Sequence, residues 1–363
     1  MLLNVAASIP LLIWAYLVFA RGWFWRVSKH LAPEGLPRVN TRRVVAVIPA
    51  RDEAAVIGAT VRSLIEQCAR VLVVDDNSTD GTAEMAQRAG AEVIRGKPLE
   101  PGWSGKLLAL SQGVLEAEKS DPDYLLFTDA DIVHDSKSIE TLVAIAEAGR
   151  YDLTSFMVKL VCASTAEEAL IPAFVFFFFM LYPPGKTAGA AGGCILIRPE
   201  ALRRIGGLSA IRGEVIDDCA LARAIAGSGG RVWLGLAPST HSTRSYGRFA
   251  EVGRMISRSA FNQLHHSSVL LLGTVAGLIF TYLLPLALLA TGRTIPIVLG
   301  GGAWLLMSIA YFPMVRFYGR SPIWSLSLPF VAMFYAGATI HSAIQYWSGR
   351  GGLWKGRVQD VRG

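Results

Sequence analysis

Three groups of carboxylates in this chain are spaced for chemistry. Asp76 closes the apolar run "VLVVDD" (71–76). Asp129 and Asp131 sit in "FTDADIV" (127–133), directly after the apolar "YLL". Asp217 and Asp218 fall in "GEVIDDCALARAIAG" (213–227). In extended backbone, residues i and i+2 point to one face, so Asp129 and Asp131 are predicted to converge, and their repulsion calls for a compensating cation. A hard divalent ion with oxygen ligands, Mg2+ or Mn2+, shared with substrate phosphates, is the natural candidate. The bland alternative is a solvated turn with two harmless acids; a position just after a buried strand weighs against it. A carboxylate at Asp76 can accept hydrogen bonds from a nucleobase or ribose, whereas capping of the following helix suits Ser78, Thr79 or Asp80 better. Asp217 and Asp218 open a helix. Capping and the helix dipole alone would account for them; the chemical reading is a general base that takes a proton from a hydroxyl.

The basic residues offer partners for phosphate. Lys106 in "GWSGK" (102–106) either pairs with a phosphate as a point charge or is a surface lysine. The glycine spacing there is not that of a P-loop, and no GxGxxG follows either early strand, which disfavours a dinucleotide fold. In "HSTRSYGRFAEVGRMISRSAFNQLHH" (241–266), Arg244/Arg248 and Arg254/Arg258 are four apart, so each pair is expected to share a helix face. A basic helix beside a membrane segment contacts anionic lipid; alternatively one Arg, with Arg258 the candidate, neutralises a departing diphosphate.

The elements that must position these groups alternate. "VVAVIPA" (44–50), "VLVVDD", "AEVIRG" and "YLLFTD" read as strands. "AAVIGATVRSLIEQCA" (54–69), "AEMAQRAG" and "GKLLALSQGVLEAEKS" read as helices. The alternation predicts an α/β domain over residues 43–262, with a parallel-type sheet and helices on both faces. Ligands of such sheets sit beyond the C-terminal strand ends, where Arg51-Asp52-Glu53, Asp75-Asp76 and Asp129–Asp131 all fall.

Of the 363 residues, 52% are hydrophobic and 17% charged, and the apolar excess gathers at the two ends. That pattern predicts a water-soluble domain carried by membrane segments. Leu2–Ala20 is expected to be a retained anchor, since no Lys or Arg precedes it and no small-residue cleavage site ends it; residues 1–22 are assigned to it. Residues 267–291, 294–315 and 323–347 each read as a transmembrane helix, giving a region of about three helices over 267–347. Their near lack of ionisable residues, with His341 the exception near an end, argues against a proton- or ion-coupled transporter. "ALIPAFVFFFFMLYPP" (169–184) is short for a span; an interfacial helix is expected, with a re-entrant or core helix as alternatives.

The net charge of +7 favours a membrane surface over nucleic acid, because Arg21, Arg26, Lys29, Arg38, Arg42 and Arg43 follow the first apolar segment. Such clusters mark the cytoplasmic side. One conflict follows. With the soluble domain in the cytosol, three later crossings put the basic tail, residues 348–363, outside; either one apolar stretch is not a full crossing or the positive-inside rule fails there. The four cysteines, Cys68, Cys162, Cys194 and Cys219, include no CxxC pair, which disfavours a zinc cage or disulfide framework.

Taken in order, "VIPARDEAAVI", "VLVVDDNSTDGT", "GWSGKLLALSQGV", "FTDADI" and "GEVIDDCALA" resemble the family 2 glycosyltransferases over roughly residues 43–262. With the N-terminal anchor, "TAGAAGGCILIRPEALRRIGG" (187–207), three C-terminal spans and "WKGR" (354–357), the layout resembles the hopene-associated membrane glycosyltransferases of bacterial hopanoid gene clusters. The resemblance implies a GT-A-like fold, a nucleotide-diphosphate sugar donor (a UDP-sugar favoured) and inversion at the anomeric carbon. It implies that Pro49, Arg51 and Glu53 line the nucleoside pocket, with Asp76 on the base and Lys106 near the diphosphate. Asp129 and Asp131 match the family's ribose- and metal-binding pair, and Asp218 its base, preceded by Asp217 where Glu is usual. The Q-x-x-R-W motif of processive synthases is missing, with Arg258-Ser259-Ala260-Phe261 in that region, which favours a single transfer to a lipid. The small residues of "TAGAAGG", Gly192 and Gly193 among them, would let backbone approach acceptor or diphosphate. The location implied is the bacterial inner membrane, with the catalytic domain cytosolic. Rival expectations are a nucleotidyl- or phosphosugar-transferase acting on a polyprenyl lipid, and an inactive membrane scaffold.

Overall fold

A computed structural model describes residues 2–354 and 357–360; Lys355 and Gly356 of the "WKGR" stretch lie outside the described residues. In chain order its elements are α1 (Leu2–Phe19), β1 (Val44–Ala50), α2 (Ile57–Leu64), β2 (Arg70–Asp75), α3 (Thr82–Arg88), β3 (Glu92–Arg95), α4 (Gly105–Ala117), β4 (Tyr124–Thr128), β5 (Ile132–Val133), α5 (Ser138–Gly149), β6 (Leu153–Lys159), α6 (Thr165–Leu181), β7 (Cys194–Ile197), α7 (Pro199–Arg204), α8 (Asp217–Gly227), β8 (Val232–Ser242), α9 (Phe249–Ser257), α10 (Ser268–Leu278), α11 (Leu284–Leu289), α12 (Thr294–Phe317), α13 (Leu328–Trp347), β9 (Gly351–Trp354) and β10 (Arg357–Asp360).

The β-branched runs at 44–50 and 70–75 form adjacent parallel strands inside an eight-stranded sheet of order β3-β2-β1-β4-β7-β6-β8-β5. The sheet is mixed, where alternation alone suggested a parallel one. β7 runs antiparallel to both β4 and β6, and β5 antiparallel to β8. Each face is covered, which is why β1 is buried at every position. On one face Val44, Ala46 and Ile48 pack with α2 and α5; on the other Val45 and Val47 pack with α4 and α8. Helix α4 lies so close to the sheet that a Cβ on Gly113 would stand 2.3 Å from Val47 Cγ1.

Pro49 sits inside a central strand without breaking a ladder. The carbonyls of Val44 and Ala50 accept from Ala69 and Asp76 on the β2 side. Odd-numbered residues of β1 therefore face β4, whose pairing ends at Val47–Phe127. Pro49, with no N–H to offer, lies just past that point, where β1 and β4 part and the cleft begins.

The segment 169–184 falls in α6. A capping box starts that helix: Ser164 accepts from Glu167 N–H, and Glu167 accepts from Ser164 N–H. Its buried face, including Leu170, Ile171, Phe176 and Phe179, joins a core shared with Trp14, Leu234, Leu236 and Tyr311. The helix thus wedges between the sheet and the apolar helices. Glu167 is fully buried and accepts from the N–H groups of Ala163, Ser164 and Tyr246 and from Ser245 Oγ. Glu167→Ala would remove the acceptor of four donors, of which Ala163 and Ser245 are exposed and can turn to water; at ~1 kcal/mol net for each bond lost at the half-buried Ser164 and Tyr246, a loss of roughly 2 kcal/mol and a drop in Tm are expected. An unchanged Tm would contradict that role.

Three described helices are long and apolar enough to cross a membrane: Ser268–Leu289, Thr294–Phe317 and Pro322–Trp347; the apolar helix Leu3–Phe19 is shorter. The first of the three contains a π-helical turn, Ile279–Leu283, followed by Pro285. Pro285 cannot donate to the carbonyl four residues back, that of Thr281, and Trp14 Nε1 of α1 donates to that oxygen at 3.0 Å. A carbonyl left unpaired among apolar groups is costly, so this bond fastens α1 to the C-terminal helices.

Candidate active site

Four loops converge beyond the ends of β1, β2, β4 and β7. In the first, the backbone N–H groups of Asp52 and Glu53 donate to Ser78 Oγ (2.9 Å) and Thr82 Oγ1 (2.8 Å), tying "RDE" to "DDNSTDGT". Asp52 (φ 50°) and Asn77 (φ 55°) both adopt the left-handed region, which Asp and Asn tolerate better than most residues. Arg51 Nη1 donates to the Asp76 carbonyl at 2.6 Å and stands 3.6 Å from its carboxylate. Pro49, Arg51, Glu53 and Asp76 therefore cluster around one end of the sheet.

Lys106 lies in the first turn of α4, after its N-cap Ser104. A cation there opposes the helix dipole, so its position needs another cause. Its Nζ is 2.9 Å from Asp129 Oδ1 and 3.2 Å from Asp217 Oδ2. Burial works against its charge, but Asp129, Asp217 and Asp218 outweigh burial and hold its pKa above the usual lysine range. Asp218 does not cap its own helix in the ordinary way. Its Oδ2 accepts from Gly192 N–H at 2.8 Å, and its Oδ1 from Cys219 N–H at 2.7 Å. Burial first, then the neighbouring Asp217, push its carboxyl up to about 6 against the opposing pull of Lys106 and the two N–H groups.

Gly192 leaves room for this contact. An added Cβ would meet Lys106 Nζ at 3.1 Å and Asp218 Oδ2 at 3.3 Å. Its loop is held from behind by Ser155, whose Oγ accepts from Ala191 N–H at 2.9 Å and donates to the Cys194 carbonyl at 2.9 Å. The neighbouring Gly193 accepts at its carbonyl from Thr128 Oγ1 at 2.8 Å. Nothing in the sequence marked Ser155 or Thr128, because each acts through its place on a strand facing that loop.

Asp129 and Asp131 share the cleft, but each has its own cation. Asp129 pairs with Lys106. Asp131 pairs with Arg244, whose Nε lies 2.8 Å from Asp131 Oδ2 and whose Nη2 lies 2.7 Å from Glu53 Oε1. Sequence spacing placed Arg244 with Arg248 on a helix face. Both precede α9, which begins at Phe249; Arg244 follows the last strand residue, Ser242, and its backbone N–H donates to Ser242 Oγ. Arg244 is the site residue that sequence reasoning missed. A usable signal was present: two close carboxylates need two cations, and Lys106 supplies one.

No group of three or more His, Cys, Asp or Glu among the described residues is placed to hold a metal unaided. The donor set suits a shared ion instead. The ion pairs fall on Asp129 Oδ1 and Asp131 Oδ2, so each carboxylate keeps a second hard oxygen. Mg2+ and Mn2+ commonly take one or two carboxylates plus phosphate oxygens and water.

Glu53, Lys106, Asp129, Asp131, Asp218 and Arg244 line one cleft of ≈ 1160 Å³, which also takes in Arg258 at the end of α9 and then runs to Phe178, Phe334 and Ala338 on α6 and α13; Asp76 is buried outside its wall, behind Arg51. One end of the cleft is acidic and basic by turns; toward α6 and α13 apolar side chains predominate, with His341 and Gln345 beside them.

Residues 45–206 match the model of a family described as Glycosyl transferase family 2. The match supports a family 2 glycosyltransferase. Over 137 residues the chain is 32% identical to the 4,4'-diaponeurosporenoate glycosyltransferase of Staphylococcus haemolyticus, covering 36% of this chain and 34% of that protein. Over 108 residues it is 37% identical to the Staphylococcus aureus (strain USA300) protein of the same name, covering 29% of this chain and 28% of that one. The chain thus spans about a third of the length of these relatives. A mannosyltransferase from Pyrobaculum calidifontis, in complex with GDP-Man and Mn2+, is similar in structure with a TM-score of 0.55 at 17% identity, covering 94% of this chain and 98% of that one. At that identity the likeness is one of fold. The mixed sheet with helices on both faces is a GT-A-like α/β fold, and the family 2 match covers β1 to β7, with Lys106, Asp129, Asp131 and Gly192 inside it and Asp217, Asp218 and Arg244 beyond its end.

Proposed function

We propose that this chain is a membrane-bound, inverting, metal-dependent glycosyltransferase that moves a sugar from a nucleotide-diphosphate donor, a UDP-sugar first, to a hydroxyl of a lipid. The observation that carries the reading is the single cleft, with Asp218, Lys106 and Asp129 at one end and Phe178, Phe334 and Ala338 at the other. Pro49, Arg51, Glu53 and Asp76 take the nucleoside, and Asp129 faces the ribose. Asp131 and Asp129 would hold Mg2+ or Mn2+, which when bound neutralises charge on the diphosphate. Asp218 takes the proton of the acceptor hydroxyl as its oxygen bonds to the sugar C1. The bond from C1 to the diphosphate oxygen breaks, and its electron pair leaves with the diphosphate, whose charge Lys106 meets. Attack opposite the leaving group inverts C1, and one base suffices because a diphosphate leaves without protonation. Asp217 positions Lys106, and Arg258 stands further along the cleft as a second cation for diphosphate.

The lipid acceptor is supported by the apolar end of the cleft and by the names of the two staphylococcal relatives. A hopanoid is the acceptor that the sequence layout suggests, and the bacterial inner membrane, with the catalytic domain in the cytosol, is the matching location. The test is a screen of radiolabelled UDP- and GDP-sugars against bacterial membrane lipids, with purified hopanoids as one arm. Label is expected in the lipid phase, with release of nucleoside diphosphate, loss of transfer in excess chelator and recovery with added Mn2+. Release of pyrophosphate, or transfer that persists in chelator, would count against the reading.

A further inference from the structure

Hydropathy makes Pro322–Trp347 the last of three apparent crossings, yet both of its ends meet the catalytic domain. Helix α12 arrives there first. Leu160 N–H of the domain donates to Tyr318 Oη, Lys159 Nζ lies 5.4 Å from the centre of the Phe317 ring, and Arg320 pairs with Glu168 at the start of α6. The chain then turns back along α12 as a 3-10 stretch, Pro322–Ser327, and Trp304 Nε1 donates to the Leu326 carbonyl at 3.1 Å. Trp304 lies thirteen residues before Phe317, which at ~1.5 Å per residue is about 20 Å from the domain, within a hydrocarbon core of ~30 Å.

From that depth α13 climbs back. Tyr335 Oη donates to the Leu170 carbonyl of α6 at 3.0 Å, and Phe334 packs on Phe249 of α9. Near its C-terminal end, Ser342 Oγ accepts from Phe261 N–H at 3.0 Å, and Tyr346 stacks on His266 with ring centres 4.1 Å apart. Phe261 and His266 stand just before α10, where the chain first leaves the catalytic domain. His341, Gln345 and Arg350 line the cleft that holds Asp129 and Asp218. A helix that crossed the bilayer would have its far end about 30 Å from those groups. The composition agrees: the first half of α13 is apolar, while Thr339, His341, Ser342 and Gln345 fall in the second half. Irregular backbone at membrane depth is tolerated where it packs on protein, and the Pro322–Ser327 stretch packs on α12 with Leu326 satisfied by Trp304.

We propose that Pro322–Trp347 is a re-entrant hairpin that enters and leaves the bilayer on the catalytic-domain side. The crossings are then α1, the α10–α11 pair and α12. The tail beginning at Ser348, with Arg350 in it, returns to the cytosolic face that the positive-inside rule prefers. The inference is independent of the catalytic reading.

Impermeant-maleimide labelling in spheroplasts and in inverted vesicles tests it. Cys68 and Cys162 would be replaced by Ser, and the buried Cys194 and Cys219 kept. Single cysteines would then be placed at Lys97 on the catalytic domain, Thr291 between α11 and α12, and Ser348 after α13, all exposed positions. Ser348→Cys is expected to label from the same side as Lys97→Cys and from the side opposite Thr291→Cys. Labelling of Ser348→Cys together with Thr291→Cys, or of Thr291→Cys together with Lys97→Cys, would overturn the hairpin. Should any variant fail to accumulate, epitope tags inserted after Thr291 and after Ser348 in the otherwise unaltered chain, read by protease access, give the same two outcomes.

Discussion

Asp218→Asn is expected to lower kcat by roughly 10²–10⁴-fold, the range for loss of a general base, while donor affinity measured by calorimetry stays within about threefold. The substitution keeps the shape of the group but not its hydrogen bonding. Both oxygens of Asp218 accept from backbone N–H groups, of Gly192 and Cys219, and an amide can accept at only one of them. Its NH2 then faces a donor, so a loss of ~1–3 kcal/mol in stability accompanies the change, and the activity must be measured below the lowered Tm. The pH profile supplies a second reading. Burial and Asp217 place the Asp218 carboxyl at about 6, and a base works only when ionised. In the wild-type protein kcat/KM should therefore fall as pH drops through about 6, since that profile reports the free enzyme. The residual activity of Asp218→Asn should lack this limb. An Asn variant that retained a tenth of wild-type kcat, or kept the limb, would remove Asp218 from the role of base.

Lys106→Met should be the next most damaging change. One ammonium serves Asp129 at 2.9 Å and Asp217 at 3.2 Å and also pulls Asp218 down. Its removal leaves three acids in one niche with no common cation. Truncating one partner of a buried pair typically costs ~3–5 kcal/mol; with the Lys106 side chain 18% exposed and Asp129 38% exposed to the cleft, water relieves part of this, and about 2 kcal/mol is expected. The loss should be larger at pH 8 than at pH 5, because protonation relieves the repulsion. The acid limb of the rate profile should move above 6, and donor affinity should fall by roughly tenfold or more, as a charge-assisted contact to diphosphate disappears. Lys106→Arg should not restore activity. The wide planar guanidinium cannot set one compact charge against both Asp129 and Asp217 as the ammonium does at 2.9 and 3.2 Å. Donor affinity unchanged in Lys106→Met would show that the lysine serves the carboxylates alone.

The strands that carry the site were plain in the sequence. Residues 44–50 form β1 as read, and the run at 71–76 forms β2 from Arg70 to Asp75, because continuous β-branched burial has few other solutions. The direction of β7 was not legible: "CILI" is four buried residues, and a short apolar run carries no sign of which way it threads between β4 and β6. The need for cations beside Asp129 and Asp131 was also legible, since like charges two residues apart repel whatever the fold. Which cations would answer was not. Lys106 lies 23 residues before Asp129, and Arg244 lies 113 residues after Asp131. Helical spacing misled for Arg244, because the backbone there is the irregular connection between β8, which ends at Ser242, and α9, which begins at Phe249.

Residue type and periodicity by themselves determined an α/β domain between apolar ends, acids at strand ends and glycines beside them. Those properties are local, set by burial, side-chain geometry and charge over a few residues. The tertiary structure alone decided that Asp218 is held by Gly192, that Asp129 and Asp131 have separate cations, and that the last apolar helix turns back toward the domain it left. Hydropathy measures how much apolar surface a segment has, not where its far end is anchored. For Pro322–Trp347 that was settled by Trp304 on Leu326 at one end and Phe261 on Ser342 at the other.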